Sequence, residues 1–135
     1  MKVDKIIALI KERVGSNYEL PGWKSHRKMS VIPINSITEK AFIPPKDAKQ
    51  ASVSIILFEE NNQLFFLLTK RTDNVEHHKG QVSLPGGAID KNETAQNASL
   101  RETNEEIGID SSTLKSLGQL SSLYTPVSYL SLIHI

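Results

Sequence analysis

Hydrophobic residues first recur at helical spacing near the start of the chain. The recurring positions are Val3, Ile6, Ile7, Ile10 and Val14. This spacing predicts an amphipathic packing helix over residues 3–14 that ends near Gly15. Residues 16–50 lack such a period and contain several prolines, so we predict an irregular lead-in there. Within it, we interpret Trp23 as a partly buried anchor in preference to a side chain that stacks on a nucleotide.

Continuous apolar runs follow the lead-in and predict β-strands. Residues 51–58 and 64–70 are rich in β-branched, leucine and aromatic side chains, and five polar residues separate them. Such a pair of runs predicts an antiparallel hairpin. A further strand is predicted over residues 118–124, stopped by Pro126. Two predicted strands therefore precede the polar middle of the chain, residues 71–117, and one follows it.

A helix with two well-marked ends is predicted in that polar middle. Residues 90–92 are turn formers, and Thr94 can act as the N-cap of a helix. Gly108 stands where a helix usually ends in a left-handed residue. Residues 95–107 between these ends contain neither proline nor glycine. We therefore predict a loop, a helix and a stop within residues 87–109.

Charge is unevenly distributed around this helix. At about 100° per residue, one sector holds Ala98, Glu102, Glu105 and Glu106, and a different side holds Leu100, Thr103 and Ile107. One face is therefore predicted to pack and another to carry three carboxylates. Like charges at this spacing cost about a few tenths of a kcal/mol each, so the cluster opposes stability unless a cation lies against it. For the Glu105 and Glu106 pair alone, the alternative is an ordinary solvated acidic face.

Composition limits the class of protein. A chain of 135 residues with 39% hydrophobic and 23% charged residues predicts one globular domain. We expect a cytoplasmic protein without a membrane partner, since no apolar run approaches the ~20 residues of a membrane helix and no signal-peptide pattern is present. The lack of cysteine excludes disulfides, thiolate metal sites and cysteine nucleophiles. A net charge of +1 does not indicate a nucleic-acid partner.

The loop and helix together resemble a known signature. Gly87, five residues, Glu93, seven residues and then RETNEEIG at residues 101–108 are similar to the Nudix box. Thr103 departs from it, because the family usually has an aliphatic residue at that position. The resemblance implies an α/β fold, the Nudix α/β/α sandwich with a mixed sheet, over residues 51–135. Residues 1–50 would then form the N-terminal helix and irregular lead-in of the same domain.

The carboxylate cluster suggests a metal site. Three carboxylates without a soft ligand suit a hard, oxygen-seeking cation, Mg²⁺ or Mn²⁺, better than zinc. The resemblance to Nudix hydrolases implies that Glu102 and Glu106 are the principal ligands and that Glu105 is a further or water-mediated ligand. It also implies that a carbonyl of Gly86 or Gly87 completes the shell.

The same resemblance implies roles for the rest of the box. The general base is expected to be Glu102 or Glu105, because no acidic residue follows Asp110 to serve from a later loop. By its position on the helix, Arg101 is expected to point away from the centre of the carboxylate face. The resemblance implies that it pairs with glutamates, Glu93 among them. Its role would be to hold the loop and the helix together. The structural positions of the box are Gly87, Glu93, Arg101 and Gly108.

The segment before the box narrows the expected substrate. Residues 67–71 and 80–87 are similar to the segment that marks the coenzyme A diphosphatase subgroup of Nudix hydrolases. This resemblance implies that Arg71 and Lys79 contact substrate phosphates and that Gly80 leaves room for the nucleotide. The alternative is that Arg71 and Lys79 are plain surface charges. The departures from the subgroup pattern are Thr72, Glu76 and Leu84.

The expected function is Mg²⁺-dependent hydrolysis of a nucleoside diphosphate-linked substrate. The first choice is coenzyme A or acyl-CoA, giving 3′,5′-ADP and (acyl-)4′-phosphopantetheine. One alternative is another Nudix pyrophosphohydrolase acting on ADP-ribose, a dinucleotide or a nucleoside triphosphate. The other is a catalytically incomplete module that binds a nucleotide without cleaving it. His77 and His78 are expected to be solvated loop residues. The sequence indicates no particular oligomeric state.

A separate expectation concerns the C-terminal residues. Only 26 residues follow Ile109, and they contain one predicted strand, whereas the resemblance implies further strands and a closing helix. We therefore expect a fold that is incomplete at the C-terminus, with native sequence stopping at about Tyr129. Residues 130–135 resemble a translated transposase adapter. As an uncharged apolar hexapeptide beside an unfinished sheet, they are expected to make this form aggregation-prone and inactive.

Overall fold

The helix predicted at the start of the chain is present as α1, Val3–Val14. The computed structural model describes residues 3–15, 19–28, 43–70, 72, 80–124 and 129–134. Val3 is buried, and Gly118 lies so close to Val14 that a Cβ on the glycine would be 2.6 Å from the Val14 carbonyl oxygen. The lead-in is less irregular than predicted, because it contains a second short helix, α2, Trp23–Lys28. The side chain of Trp23 lies outside the described part.

A four-stranded sheet forms the centre of the fold. Its strands are β1, Lys49–Ser54; β6, Gly86–Ala88; β7, Leu123–Tyr124; and β8, Tyr129–His134. The order across the sheet is β6, β1, β8, β7. β1 pairs with β8 in parallel and with β6 in antiparallel orientation, and β7 pairs antiparallel with β8. The mixed sheet expected from the sequence is therefore confirmed.

The predicted hairpin is divided into more strands than expected. The first run forms β1 and then, after a break at residues 55–56, β2, Leu57–Glu60. The second run forms β3, Gln63–Phe66, and β4, Thr69–Lys70. β2 and β3 form the antiparallel hairpin, whose turn is made by two asparagines with positive φ. β4 pairs instead with β5, Val82–Ser83.

The break in the first run has a structural reason. β1 has distant partners, β6 and β8, whereas β2 pairs with its neighbour in sequence, so the chain must change partners between them. At the change, the Ser54 N–H donates to the Pro85 carbonyl at 2.9 Å. The Leu67 N–H donates to the Ile56 carbonyl at 3.0 Å. The last residue of β1 and the second residue of the break are thus hydrogen-bonded to other parts of the chain, although residues 55–56 form no strand.

The end of the chain differs from the prediction. Within the predicted strand at residues 118–124, only Leu123–Tyr124 forms a strand. Tyr129–His134 then forms β8, which lies between β1 and β7 and pairs with β1 along its whole length. Residues 130–134 therefore lie within the sheet, which contradicts the expectation that they lie beside it. An uncharged, apolar run suits a strand with partners on both sides.

Helix α3, Ala95–Ile107, packs against β1 and β6. Its buried residues are Ala98, Ser99 and Thr103, and Ser52 and Ser54 are buried on β1. These side chains are all small, which permits a close approach of the helix to the sheet. Among the described residues, no helix is both long and apolar enough to cross a membrane. A short 3-10 helix, Ser111–Thr113, follows α3.

Candidate active site

Helix α3 begins and ends as the sequence predicts. The Thr94 side chain accepts a hydrogen bond from the Asn97 N–H at 3.2 Å, so it is the N-cap. Gly108 adopts φ 71°, and its N–H donates to the Asn104 carbonyl at 2.9 Å. A left-handed glycine that satisfies a terminal carbonyl is a common helix end. These two caps fix the length of the helix that carries the glutamates.

Gly87 lies against the carboxylate of Glu102. A Cβ placed on Gly87 would be 2.5 Å from Glu102 Cδ and 2.7 Å from Oε2, which is closer than real Cβ atoms come. The Glu102 side chain is only 18% exposed. The absence of a side chain at residue 87 therefore allows the helix to bring this carboxylate against the strand.

The carboxylate face and the packed face of α3 overlap, which corrects the prediction that they are separate. Ala98 shares the predicted carboxylate sector but is fully buried, and Glu102 is largely buried beside it. Glu105 extends further out, with 58% of its side chain exposed. The site therefore lies along the edge of the helix that meets β6, with Glu102 against the strand and Glu105 facing outward.

Arg101 is the most connected side chain of the site. Its Nε donates to Glu93 Oε1 at 3.1 Å and its Nη2 to Glu93 Oε2 at 3.0 Å. Nη2 also donates to the Ala88 carbonyl at 3.1 Å and lies 3.8 Å from an Asp90 carboxylate oxygen. Four contacts thus run to the loop and to β6, as expected for a side chain that holds loop and helix together.

The other side of the same guanidinium reaches the carboxylate cluster. Nη1 donates to Glu102 Oε1 at 2.9 Å and to Glu105 Oε2 at 3.3 Å. The expectation that Arg101 points away from the centre of the carboxylate face is therefore wrong. The physical reason is the length of the side chain, since a helical wheel gives the direction of Cβ and not the reach of a guanidinium.

The charges of the Arg101 network stabilise one another. Hydrogen bonds from Arg101 hold the pKa of Glu93 below its ordinary value, and the Asp90 N–H, which donates to Glu93 Oε2 at 3.1 Å, acts in the same direction. Hydrogen bonds to Glu93 and Glu102 raise the pKa of Arg101 further above its already high value. Glu93 is therefore ionised and Arg101 protonated at neutral pH. The ion pair is also partly shielded, because their side chains are 16% and 30% exposed.

Glu106 connects the helix to β6 by a different contact. Its Oε2 accepts a hydrogen bond from the Gly86 N–H at 3.2 Å. All three carboxylates of the cluster thus have a protein donor: Arg101 for Glu102 and Glu105, and a backbone N–H for Glu106. Within the ranges that the structure describes, no three acidic or histidine side chains are already gathered as a metal-binding group.

The remaining predicted residues fall into two groups. Gly80 is described and adopts a left-handed φ of 66°, which favours glycine. Arg71 and Lys79 lie outside the described residues, as do His77 and His78. Their predicted roles stay predictions.

Sequence reasoning did not identify every member of the site. The Ala88 carbonyl and Asp90 both contact Arg101 without having been predicted. The Arg101 to Glu105 contact could have been found, because residues four apart on a helix are neighbours. Thr103, expected to pack, is fully buried, and its hydroxyl has no hydrogen-bond partner among the described residues.

Comparisons with known proteins address the family and the fold. The NUDIX domain family matches residues 48–132. Nudix hydrolase 3 of Caenorhabditis elegans is 36% identical over 98 residues, which are 72% of this chain and 40% of that protein. An uncharacterized Nudix hydrolase, NudL, of Yersinia pestis is 32% identical over 98 residues, 72% of this chain and 48% of that protein. The chain thus spans less than half the length of these relatives.

Solved structures support the same fold. A MutT/nudix family protein from Enterococcus faecalis has a TM-score of 0.53 at 22% identity, covering 94% of this chain and 47% of that one. The Nudix hydrolase RenU of M. smegmatis has a TM-score of 0.51 at 21% identity, covering 64% and 60%. The box geometry, the mixed sheet and the match over most of the chain lead to one conclusion. This chain belongs to the Nudix family.

Proposed function

We propose that this chain hydrolyses a pyrophosphate bond in a nucleoside diphosphate-linked substrate, using Mg²⁺ or Mn²⁺. The observation that carries the proposal is the arrangement of Glu102, Glu105 and Glu106 along the edge of α3 that meets β6, with Arg101 fixing two of them. Family membership supports it, since the relatives named above are Nudix hydrolases.

The donor set fits a hard divalent cation. Carboxylate and carbonyl oxygens are the ligands that such ions prefer, and no thiolate is available in the chain. Glu102, Glu105 and Glu106 would hold the ion, together with a carbonyl of Gly86 or Gly87. Bound there, a divalent ion would neutralise developing charge on the phosphates and lower the pKa of an attacking water.

The protein itself supplies orientation and a base. Arg101 keeps Glu102 and Glu105 at fixed positions, while Glu93 fixes Arg101 from the loop. Of the two candidates for the general base, Glu105 is better placed to take a proton from water. Its side chain is 58% exposed and its second oxygen accepts no hydrogen bond within the described residues, whereas Glu102 lies against Gly87.

Coenzyme A or acyl-CoA is the substrate that we favour, giving 3′,5′-ADP and (acyl-)4′-phosphopantetheine. The support is the sequence similarity of residues 67–71 and 80–87 to the coenzyme A diphosphatase subgroup, together with the left-handed Gly80. Arg71→Ala should raise KM for coenzyme A more than it lowers kcat, as expected for a phosphate contact made already in the ground state. An unchanged KM, or a clear preference for ADP-ribose, contradicts this choice of substrate.

Turnover of a panel of diphosphates, with the products identified, tests the reaction itself. The matched variant is Glu106→Gln, which keeps the side-chain volume and removes one charge and one ligand oxygen. It should abolish turnover while the circular dichroism spectrum stays that of the parent. Near-parental activity of this variant at saturating cation contradicts the ligand role.

A nucleotide-binding module without hydrolysis is the second candidate. It is favoured by the finding that each carboxylate of the cluster already has a protein donor. Isothermal titration with nucleotides separates the two functions. Nucleotide binding without any product, in a chain whose fold is intact, would support the binding module and contradict hydrolysis.

A further inference from the structure

One NH₂ group of Arg101 bridges two of the three proposed metal ligands. Nη1 lies 2.9 Å from Glu102 Oε1 and 3.3 Å from Glu105 Oε2. A divalent ion shared by these two carboxylates would need oxygens that Nη1 now contacts. Since both the guanidinium and the ion are positively charged, they repel one another at such distances.

The rest of the guanidinium is bound elsewhere. Nε and Nη2 donate to both oxygens of Glu93, and Nη2 also donates to the Ala88 carbonyl. Three hydrogen bonds, to Glu93 in the loop and to Ala88 on β6, therefore still hold Arg101 when its contacts with Glu102 and Glu105 are lost. Arg101 can lose its hydrogen bonds to Glu102 and Glu105 while it keeps those to Glu93 and Ala88.

Resting on the proposed function, we infer that Arg101 competes with the divalent cation for Glu102 and Glu105, and that Glu93 favours the cation by drawing the guanidinium toward the loop. Cation affinity then depends on the balance between the contacts of Arg101 with Glu93 and its contacts with Glu102 and Glu105. Glu93 acts through Arg101 and is a positioning residue, because none of its contacts reaches the cluster directly.

This role predicts a result opposite in sign to that of a purely orienting arginine. If Arg101 only orders the carboxylates, its loss weakens cation binding. If it competes, Arg101→Gln strengthens binding, on the order of tenfold, because a positive charge about 3 Å from two ligand oxygens is removed. Glu93→Gln should weaken binding several-fold, since the released guanidinium then pairs more fully with Glu102 and Glu105.

The test is the affinity of the full 135-residue chain for Mn²⁺ alone, measured by electron paramagnetic resonance without nucleotide at about 0.15 M salt. Circular dichroism and thermal melting show that each variant is folded. The control for charge is Lys91→Gln, which removes a positive charge at an exposed position in the loop that contains Glu93. It should change the affinity much less than Arg101→Gln does.

A double-mutant comparison tests whether Glu93 acts through Arg101. In the Arg101→Gln background, Glu93→Gln should have a smaller effect than in the parent. If Arg101→Gln does not fold, Arg101→Lys replaces it. A lysine lacks the planar fork that contacts both sides at once, so it should also strengthen Mn²⁺ binding, by a smaller factor.

Two results overturn the inference. The first is a folded Arg101→Gln or Arg101→Lys variant that binds Mn²⁺ as weakly as the parent or more weakly. If Glu106→Gln still abolishes Mn²⁺ binding in that case, the proposed metal site stands and only the competition is wrong. The second is a parent chain whose Mn²⁺ binding survives both Glu102→Gln and Glu106→Gln, which removes the proposed site and the competition together.

Discussion

Arg101 and Glu93 are joined by two hydrogen bonds, from Nε to Oε1 at 3.1 Å and from Nη2 to Oε2 at 3.0 Å. They are eight residues apart, so the pair connects helix α3 to the loop that precedes it. A paired fork of this kind fixes direction as well as distance. The position of helix α3 relative to this loop therefore depends on the ion pair.

Replacement of Arg101 by alanine should lower both the melting temperature and the rate. Loop and helix lose their connection, and Glu102 and Glu105 lose the donor that fixes their positions. The expected loss of kcat/KM is about 10- to 100-fold, as for other groups that orient metal ligands. The rate falls even where free Mn²⁺ binds more tightly, because turnover requires fixed carboxylates. A variant that melts and turns over like the parent would exclude this role.

Protonation of the Glu93 carboxylate at acid pH should lower the free energy of unfolding. Its pKa is lowered from an ordinary 4.5, so the unfolded chain binds the proton more readily than the folded one. The stabilisation is present above pH 4.5 and is lost as the pH falls through the lower, folded-state pKa. Glu93→Gln should be less stable than the parent at pH 6 and should lose less stability below pH 4.5.

Urea denaturation of the two proteins across this pH range measures the difference. Glu60→Gln, at an exposed position on β2, is the control for loss of one acidic residue. Parallel pH profiles for the parent and Glu93→Gln would show that the ion pair is not linked to folding.

Thr103 should be replaceable by valine with a gain in stability. The residue is fully buried, and its hydroxyl has no partner among the described residues. A buried, unsatisfied hydroxyl is costly, so Thr103→Val should raise the free energy of unfolding by about 1 kcal/mol. A loss of stability would show that the hydroxyl has a partner in solution.

Thr113→Val, at an exposed position, is the control for the loss of a satisfied threonine hydroxyl. The Thr113 hydroxyl donates to the Asp110 carbonyl at 2.7 Å, so the same change removes a satisfied group. It should lower the free energy of unfolding by about 0.5–1.5 kcal/mol. Opposite signs for the two valine variants would separate the effect of the unsatisfied hydroxyl from that of threonine replacement in general.

The sequence was most informative where structure depends on neighbouring residues. The caps at Thr94 and Gly108 are set by hydrogen bonds within a few residues, and both were predicted correctly. The pairing of Arg101 with Glu93 followed from the resemblance to the Nudix box. These features can be predicted without knowledge of residues that are distant in sequence.

Features that depend on distant partners were missed. An apolar run does not show where its pairing partner changes, so the break after Ser54 was not predicted. The position of Tyr129–His134 between two other strands depends on pairing with residues about 80 positions away. One local contact was also missed: Arg101 reaches Glu105, four residues along the same helix, because a helical wheel shows the direction of Cβ atoms and not the reach of a guanidinium.

Gly87→Ala should damage the site more than it damages the fold. An added Cβ would be 2.5 Å from Glu102 Cδ, so the carboxylate must move or the helix must shift, at about 1–3 kcal/mol. Gly108→Ala is the matched control. It has φ 71° but no atom within 4 Å of the added Cβ, so its cost of about 1 kcal/mol is backbone strain alone. Denaturation and Mn²⁺ titration of both variants should give comparable losses of stability but weaker Mn²⁺ binding only for Gly87→Ala. Equal Mn²⁺ affinities would show that Glu102 does not need its position against β6 to bind the cation.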